Sequence, residues 1–111
     1  MYESKLIGKT FEEMPCYEMV RAYYRLNGQE VPPYTDLLDH GRPRTGIGFK
    51  RILEPVAGCM CVYSLQGKQI DHVGIYLGGN RLLHSTEGSG VCIERYSKYL
   101  SRLKGLYVWS E

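Results

Sequence analysis

The stretch Ile70-Asp71-His72-Val73-Gly74-Ile75-Tyr76-Leu77-Gly78-Gly79-Asn80-Arg81-Leu82-Leu83-His84-Ser85-Thr86 decides the fold. Apolar and glycine residues alternate from His72 to Leu77, the period of a half-buried strand. Gly78-Gly79-Asn80 supplies a turn and an apolar run returns to His84, so the segment reads as a β-hairpin. Two of the chain's three histidines lie here, twelve positions apart. A three-residue loop, Gly78 to Asn80, pairs Leu77 with Arg81, Ile75 with Leu83 and Gly74 with His84. Both imidazoles then share one face as diagonal neighbours roughly 7–8 Å apart. A two-residue loop would slip the register by one and send them to opposite faces. The three-residue loop is the expectation carried forward, with Gly74 leaving room for a ring beside His84.

Upstream, Pro15 to Leu26 reads as a helix. Proline suits a first turn, and Asn27-Gly28 is a C-terminal stop. Thr10-x-x-Glu13 has the form of a capping box, although Pro15 argues against a continuous helix through Met14. Cys16, Met19, Val20 and Tyr23 fall at i, i+3, i+4 and i+7, one apolar stripe with Cys16 in its first turn. Free amides and the dipole at a helix start stabilise anions and lower a thiol's pKa. A small buried core cysteine is the competing reading of that position.

The 111 residues, 43% hydrophobic and 23% charged, fit one small globular domain over residues 1–111. Net charge is +2 with both signs interspersed, so neither a nucleic-acid arm nor a polybasic membrane patch is indicated. The first nine residues lack the apolar core of a signal peptide, and Val56 to Tyr63, the longest apolar run, is far short of a membrane span. A soluble chain made in the cytoplasm follows, with export left to another route such as a virion or a secretion apparatus. Ten tyrosines suggest either an aromatic-lined groove or an amphipathic core edge. Cys16, Cys59, Cys61 and Cys92 are expected as reduced thiols, since Cys59-x-Cys61 is too tight for a zinc knuckle.

The remaining chain reads as loops and short elements. Gln29 to Pro55 is rich in Pro, Gly and charge, with a helical turn over Thr35 to Asp39, a solvated His40, and a second short helix anchored by Phe49, Ile52 and Leu53. Pro55 to Leu65 is strand-like, Cys59, Cys61 and Tyr63 on one face and Met60 and Val62 on the other. After the hairpin come a strand from Val91 to Ile93, a helix through Tyr96, Tyr99, Leu100 and Leu103 ended by Gly105, and a strand from Leu106 to Trp109. Consecutive strands joined by short turns argue an α+β fold, a Cys-bearing N-terminal helix packed on a mostly antiparallel sheet.

A thiol at a helix start facing a sheet histidine is the recipe for a nucleophile with its general base. In that scheme Cys16 attacks, His72 moves the proton, His84 bonds the second nitrogen of His72 and fixes its orientation, and the Cys16 amide donates to the oxyanion. The bland alternative makes both histidines ordinary sheet residues. Too few ligands stand at recognised spacing for a metal, and no cofactor is expected.

The block Gly58-Cys59-Met60-Cys61-Val62-Tyr63 followed by Asp71-His72-Val73-Gly74-Ile75-Tyr76-Leu77-Gly78-Gly79-Asn80-Arg81-Leu82-Leu83-His84 resembles the NlpC family of papain-like cell-wall cysteine peptidases. Cys16-Tyr17-Glu18-Met19-Val20-Arg21-Ala22-Tyr23-Tyr24 is similar to that family's Cys-x-x-Leu-Val-x-x-x-Tyr helix, and Asn27-Gly28-Gln29-Glu30-Val31-Pro32 resembles the turn of phage tail-associated members. The resemblance implies a papain-like fold, with Cys16 as nucleophile, His72 as base and His84 as the orienting residue. It also implies hydrolysis of amide bonds in peptidoglycan stem peptides, without a cofactor, and tail or envelope proteins as partners. Family members usually carry Asp before the Cys, Ser-Gly after it and Gly-Asp at the start of the strand; here stand Pro15, Tyr17-Glu18 and Gly58-Cys59. Phe11 occupies the position of a tyrosine that aids the oxyanion site, unless Tyr2 or Tyr17 substitutes. These departures motivate the alternative of an inactive structural component that keeps the fold. A transferase or amidase using the same residues ranks last, for want of an apolar acyl site.

Overall fold

Helix formation near the N-terminus is decided by proline and glycine. The computed structural model describes residues 2–33, 38–39, 42–43 and 48–109. After a 3-10 turn at Tyr2–Lys5, Thr10 and Glu13 exchange hydrogen bonds as a capping box, Thr10 N–H to Glu13 Oε1 at 2.9 Å and Glu13 N–H to Thr10 Oγ1 at 3.1 Å. The box closes only one turn, because extended Pro15 restarts the chain as α1, Cys16–Leu26. Gly28, at φ +80°, closes α1 in a Schellman motif. Its N–H reaches Arg25 O at 3.0 Å, and the N–H of Gln29 reaches Tyr24 O at 3.0 Å. The buried face of α1 is Tyr17, Met19, Val20 and Tyr24; Cys16 and Tyr23 sit at its margin, only partly covered.

The strands follow in order: β1 (Leu38–Asp39), β2 (Arg42–Pro43), β3 (Phe49–Ile52), β4 (Met60–Tyr63), β5 (His72–Gly78), β6 (Arg81–Thr86), β7 (Gly90–Arg95) and, after a 3-10 helix at Tyr96–Arg102, β8 (Leu103–Trp109). The first two pair with each other; the other six form one antiparallel sheet in the order β3-β8-β4-β5-β6-β7. The α+β, papain-like architecture expected from the sequence is the one observed. Among the described residues, no helix is long and apolar enough to cross a membrane.

Strand alternation divides the core in two. Met60, Val62, Val73, Ile75, Leu83 and Val91 face α1 and pack on Met19 and Val20. Cys59, Cys61, Tyr63, Leu82 and Leu106 form a second cluster with Tyr96 on the opposite face, as the period-2 reading of β4 required. All four cysteines are free thiols.

Several local expectations are corrected. Phe49–Ile52 is a strand, not a helix: Phe49 is buried against the Trp109 ring and its pairing with β8 supplies backbone bonds that so short a helix would lack, while Leu53 is exposed. The helix after β7 is 3-10, and Gly105 lies inside β8, where any Cβ would press on the Tyr107 ring at 2.9 Å. The strand expected at Val91 to Ile93 runs from Gly90 to Arg95. Residues 35–37 of the expected helical turn, and His40, lie outside the described residues.

The hairpin is built differently from the expected loop, yet reaches the same register. Gly79 and Asn80, at φ +59° and +60°, form a two-residue turn, and Gly78 at φ +93° pairs with Arg81. Leu77 is the extra residue of a bulge between Tyr76 and Gly78. The bulge absorbs the one-residue slip, so Ile75 still opposes Leu83 and Gly74 still opposes His84. Asn80 also anchors the next element: its Oδ1 accepts Ser97 N–H at 2.9 Å and its carbonyl accepts Tyr96 N–H at 2.9 Å.

Candidate active site

β5 begins at His72 because Asp71 fastens the preceding connection. Its two carboxylate oxygens accept the amides of Leu65 at 2.7 Å and Gln66 at 2.9 Å, and its own N–H reaches Tyr63 O at 3.0 Å. His72 opposes Tyr63, and its ring lies 5.9 Å from the tyrosine's. One strand over, His84 opposes Gly74, where an added Cβ would come within 3.1 Å of the His84 Cβ and 2.9 Å of Leu83 O. Glycine is what admits the second imidazole.

The two rings meet directly: His72 Nε2 and His84 Nδ1 are 2.9 Å apart, buried, with ring centroids at 5.1 Å. Both belong to the sheet face that also carries Tyr63, opposite the face covered by α1. Cys16 packs at the margin of the α1-side cluster and lines clefts together with His72. It shares one cleft with Phe11, Asp71, His72 and Thr86, and a second, adjoining depression with Pro15, Glu18 and His72. The sequence candidates Cys16, His72 and His84 are therefore brought to one place from α1, β5 and β6.

Sequence reasoning missed the next residue in line. Glu94 Oε1 lies 2.8 Å from His84 Nε2, accepts the Tyr99 hydroxyl at 2.9 Å, and its Oε2 accepts the Lys98 ammonium at 2.6 Å. Tyr99 also stacks edge-on against His84, with centroids 5.3 Å apart. The signal was present but weak: β7 read as ending at Ile93, and Glu94 lies one diagonal step from His84, since the direct cross-strand partner of His84 is Cys92.

Electrostatics set the resting protonation. Burial pushes the Cys16 thiol up, and the nearby amides of Val73 and Tyr17 oppose this without reversing it. This corrects the expectation of a thiol lowered by the helix start: desolvation outweighs the dipole. Burial, reinforced by the neighbouring His84, pulls His72 down to about 4. Burial also lowers His84, against the opposing pull of Glu94. Glu94 is held down to about 2, chiefly by its hydrogen bond from Lys98 and then by Tyr99 and His84. At neutral pH the site rests as thiol, two neutral imidazoles and a carboxylate.

Of the substitutes for Phe11, Tyr17 is committed elsewhere, its hydroxyl donated to Pro32 O at 2.6 Å. The side chain of Tyr2 lies outside the described residues. For a metal, His84, Cys92 and Glu94 bring donor atoms within 4.8 Å of one another, a trio that chain spacing concealed because it forms across strands. Two of those donors, His84 Nε2 and Glu94, already satisfy each other, and Lys98 neutralises the carboxylate.

Residues 5–107 match the NlpC/P60 family. The chain belongs to the NlpC/P60 family. Solved structures share the fold of this NlpC/P60 chain at low sequence identity. A structure described as similar to a lipoprotein of the NLP/P60 family, from Staphylococcus aureus subsp. aureus Mu50, superposes with a TM-score of 0.70 at 19% identity, covering 99% of this chain and 39% of that one. The NlpC/p60 domain of the peptidoglycan hydrolase SagA gives 0.68 at 19% identity, covering 96% and 92%. An NlpC/P60 family protein from Bacillus cereus ATCC 10987 gives 0.57 at 18% identity, covering 86% and 32%. The chain thus spans well under half of the first and third of these proteins. No curated protein matches it significantly.

Proposed function

We propose that this chain is a cysteine peptidase that hydrolyses amide bonds in the stem peptides of peptidoglycan. The observation that carries the reading is the buried 2.9 Å bond between His84 and His72, the histidine that lines one cleft with Cys16. Membership of the NlpC/P60 family and the likeness to the fold of a peptidoglycan hydrolase domain support the substrate class.

The resting site is neutral, so the thiolate forms as the thiol is used. The Cys16 proton passes to His72 while sulfur bonds to the scissile carbonyl carbon. The oxygen of that carbonyl takes the negative charge beside the amide of Cys16, at the open start of α1, whose first intrahelical bond is Met19 N–H to Pro15 O at 2.9 Å. Breaking the C–N bond transfers the proton from His72 to the departing amine and leaves a thioester. Water then attacks that carbon, its proton going to His72 and on to the sulfur as the carboxylic acid leaves. Phe11 lines the cleft and offers no hydroxyl where the family pattern has a tyrosine.

Purified sacculi or muropeptides incubated with the wild type and with Cys16→Ala test the proposal. New amine and carboxyl ends are expected from the wild type only, with turnover down about 10^4-fold in the variant. Identical products from both proteins would sink it. Phe11 and the raised thiol favour a second reading, an inactive component of a tail or envelope assembly. Under that reading a thiol-directed probe reacts with Cys16 as fast after His72→Ala as before, whereas the peptidase reading expects it to slow. Delivery to the cell wall by a phage or prophage tail, or by a secretion apparatus, belongs to the same proposal and is supported by the tail-like wording of Asn27 to Pro32. Finding the chain in purified tail particles tests that part; its absence from them counts against it.

A further inference from the structure

We propose that Glu94 is a positioning residue that fixes the tautomers of both histidines, and thereby leaves the Nδ1 lone pair of His72 available to the Cys16 thiol. The inference deepens the peptidase reading and rests on Cys16 being the nucleophile. Its basis is a one-way chain of hydrogen bonds. A carboxylate only accepts, and Glu94 faces His84 Nε2 at 2.8 Å, so that nitrogen carries a proton. A neutral His84 then has a bare Nδ1. His72 Nε2, 2.9 Å from that Nδ1, must be the donor, which leaves His72 Nδ1 without a proton. Reversing the chain would protonate His72 Nδ1, and the base could not accept from the thiol.

Two neutral imidazoles have no preference of their own between these directions, because either ring can donate to the other. The bias comes from outside the pair, and among the described residues Glu94 is the acceptor-only group hydrogen-bonded to it. The carboxylate is itself restrained: Tyr99 donates to the oxygen that faces His84, and Lys98 holds the other oxygen at 2.6 Å. Only 26% of the Glu94 side chain is exposed, and His84 is almost fully enclosed at 1%, so water competes poorly for the bond. During turnover the thiol proton moves to His72 Nδ1, while the two Nε2–H groups stay donated along the chain. Each group returns to its starting state when the proton leaves with the amine. No oxidant, metal or further reactant enters.

Glu94→Gln tests this at nearly constant volume, because an amide can accept from His84 Nε2–H or donate to it and so loses the direction. Histidine-labelled protein is examined by 15N NMR near pH 7, and alkylation by iodoacetamide is followed on the Cys16-containing peptide. In the wild type both rings are expected as pure Nε2–H tautomers. In Glu94→Gln a population with Nδ1–H is expected at both rings, with Cys16 alkylation slowed roughly tenfold, the difference between a charge-assisted and a neutral hydrogen bond. Tyr99→Phe, which removes the hydroxyl bond to the carboxylate and keeps the edge-on ring against His84, is expected to move both readouts the same way by a smaller amount. Unchanged tautomers and unchanged alkylation in Glu94→Gln overturn the inference. Neither readout uses a wall substrate, so failure to cleave sacculi leaves this result separately legible.

Discussion

The two faces of the β5–β6 hairpin do different work with interleaved residues. On the α1 side Val73, Ile75 and Leu83 are buried against Met19 and Val20, and nothing there titrates near neutrality. On the other side His72 and His84 are equally buried but polar, and each ring nitrogen that faces a neighbour is bonded, ending at Glu94. Apolar packing tolerates small shifts, whereas a chain of directed hydrogen bonds works only if every member keeps its partner. The rigid, closely packed face is therefore what holds the polar face in register. A period of two lets one short hairpin serve both ends.

Paired substitutions at adjacent positions would break or confirm this division most clearly. Under the proposed mechanism His84→Ala is expected to cut turnover per folded molecule about 10^3-fold, since His72 loses its buried hydrogen-bond partner. Leu83→Ala is expected to cost about 2–5 kcal/mol in urea unfolding while turnover per folded molecule stays unchanged. Equal kinetic losses in the two variants would show that the faces are not separable.

Of the two hairpin faces, acid should act on the polar one. His72 is held near 4, below its ordinary 6.5, so between those values the unfolded chain binds the proton and the native chain does not. Stability is then complete above about pH 6.5 and falls as pH drops toward 4, by about 3 kcal/mol for this residue. Glu94, lowered to about 2, adds a further loss that begins below its ordinary value of 4.5. Denaturant titrations across pH 4–7 check this, and His72→Gln is expected to flatten the upper part of the profile. A wild-type stability that does not vary between pH 4 and 6.5 contradicts a buried neutral His72.

The smallest expected effect sharpens the comparison from the apolar side. Ile75→Val removes one fully buried methylene and is expected to cost about 1 kcal/mol, with no change in the pH profile. A shifted acid limb in this variant would mean that packing on one face tunes the imidazoles on the other.

Legibility followed the range of the interactions. The hairpin, the two faces of β4, the capping box and the end of α1 were all readable, because alternation, a short pairing and an Asn-Gly stop are local signals. The Phe49–Ile52 strand was misread as a helix because its pairing partner is β8, more than fifty residues away. The thiol's direction was misread because a helix start is visible in sequence and the burial around Cys16 is not. Glu94 was missed because its role depends on a diagonal contact with β6 and on Tyr99 and Lys98 in the following 3-10 helix.

The sequence by itself determined that residues 70–86 turn back on themselves and that His72 and His84 stand on the two strands of one hairpin. Alternation and positive-φ turn residues are properties of neighbours along the chain. Only the tertiary structure decided how the register was reached, by a Gly79-Asn80 turn with a compensating bulge at Leu77. Only it brought Cys16 to one cleft with His72, reversed the expected direction of the thiol and extended the histidine pair to Glu94. Those outcomes depend on desolvation and on contacts between strands, which exist only once the sheet has closed.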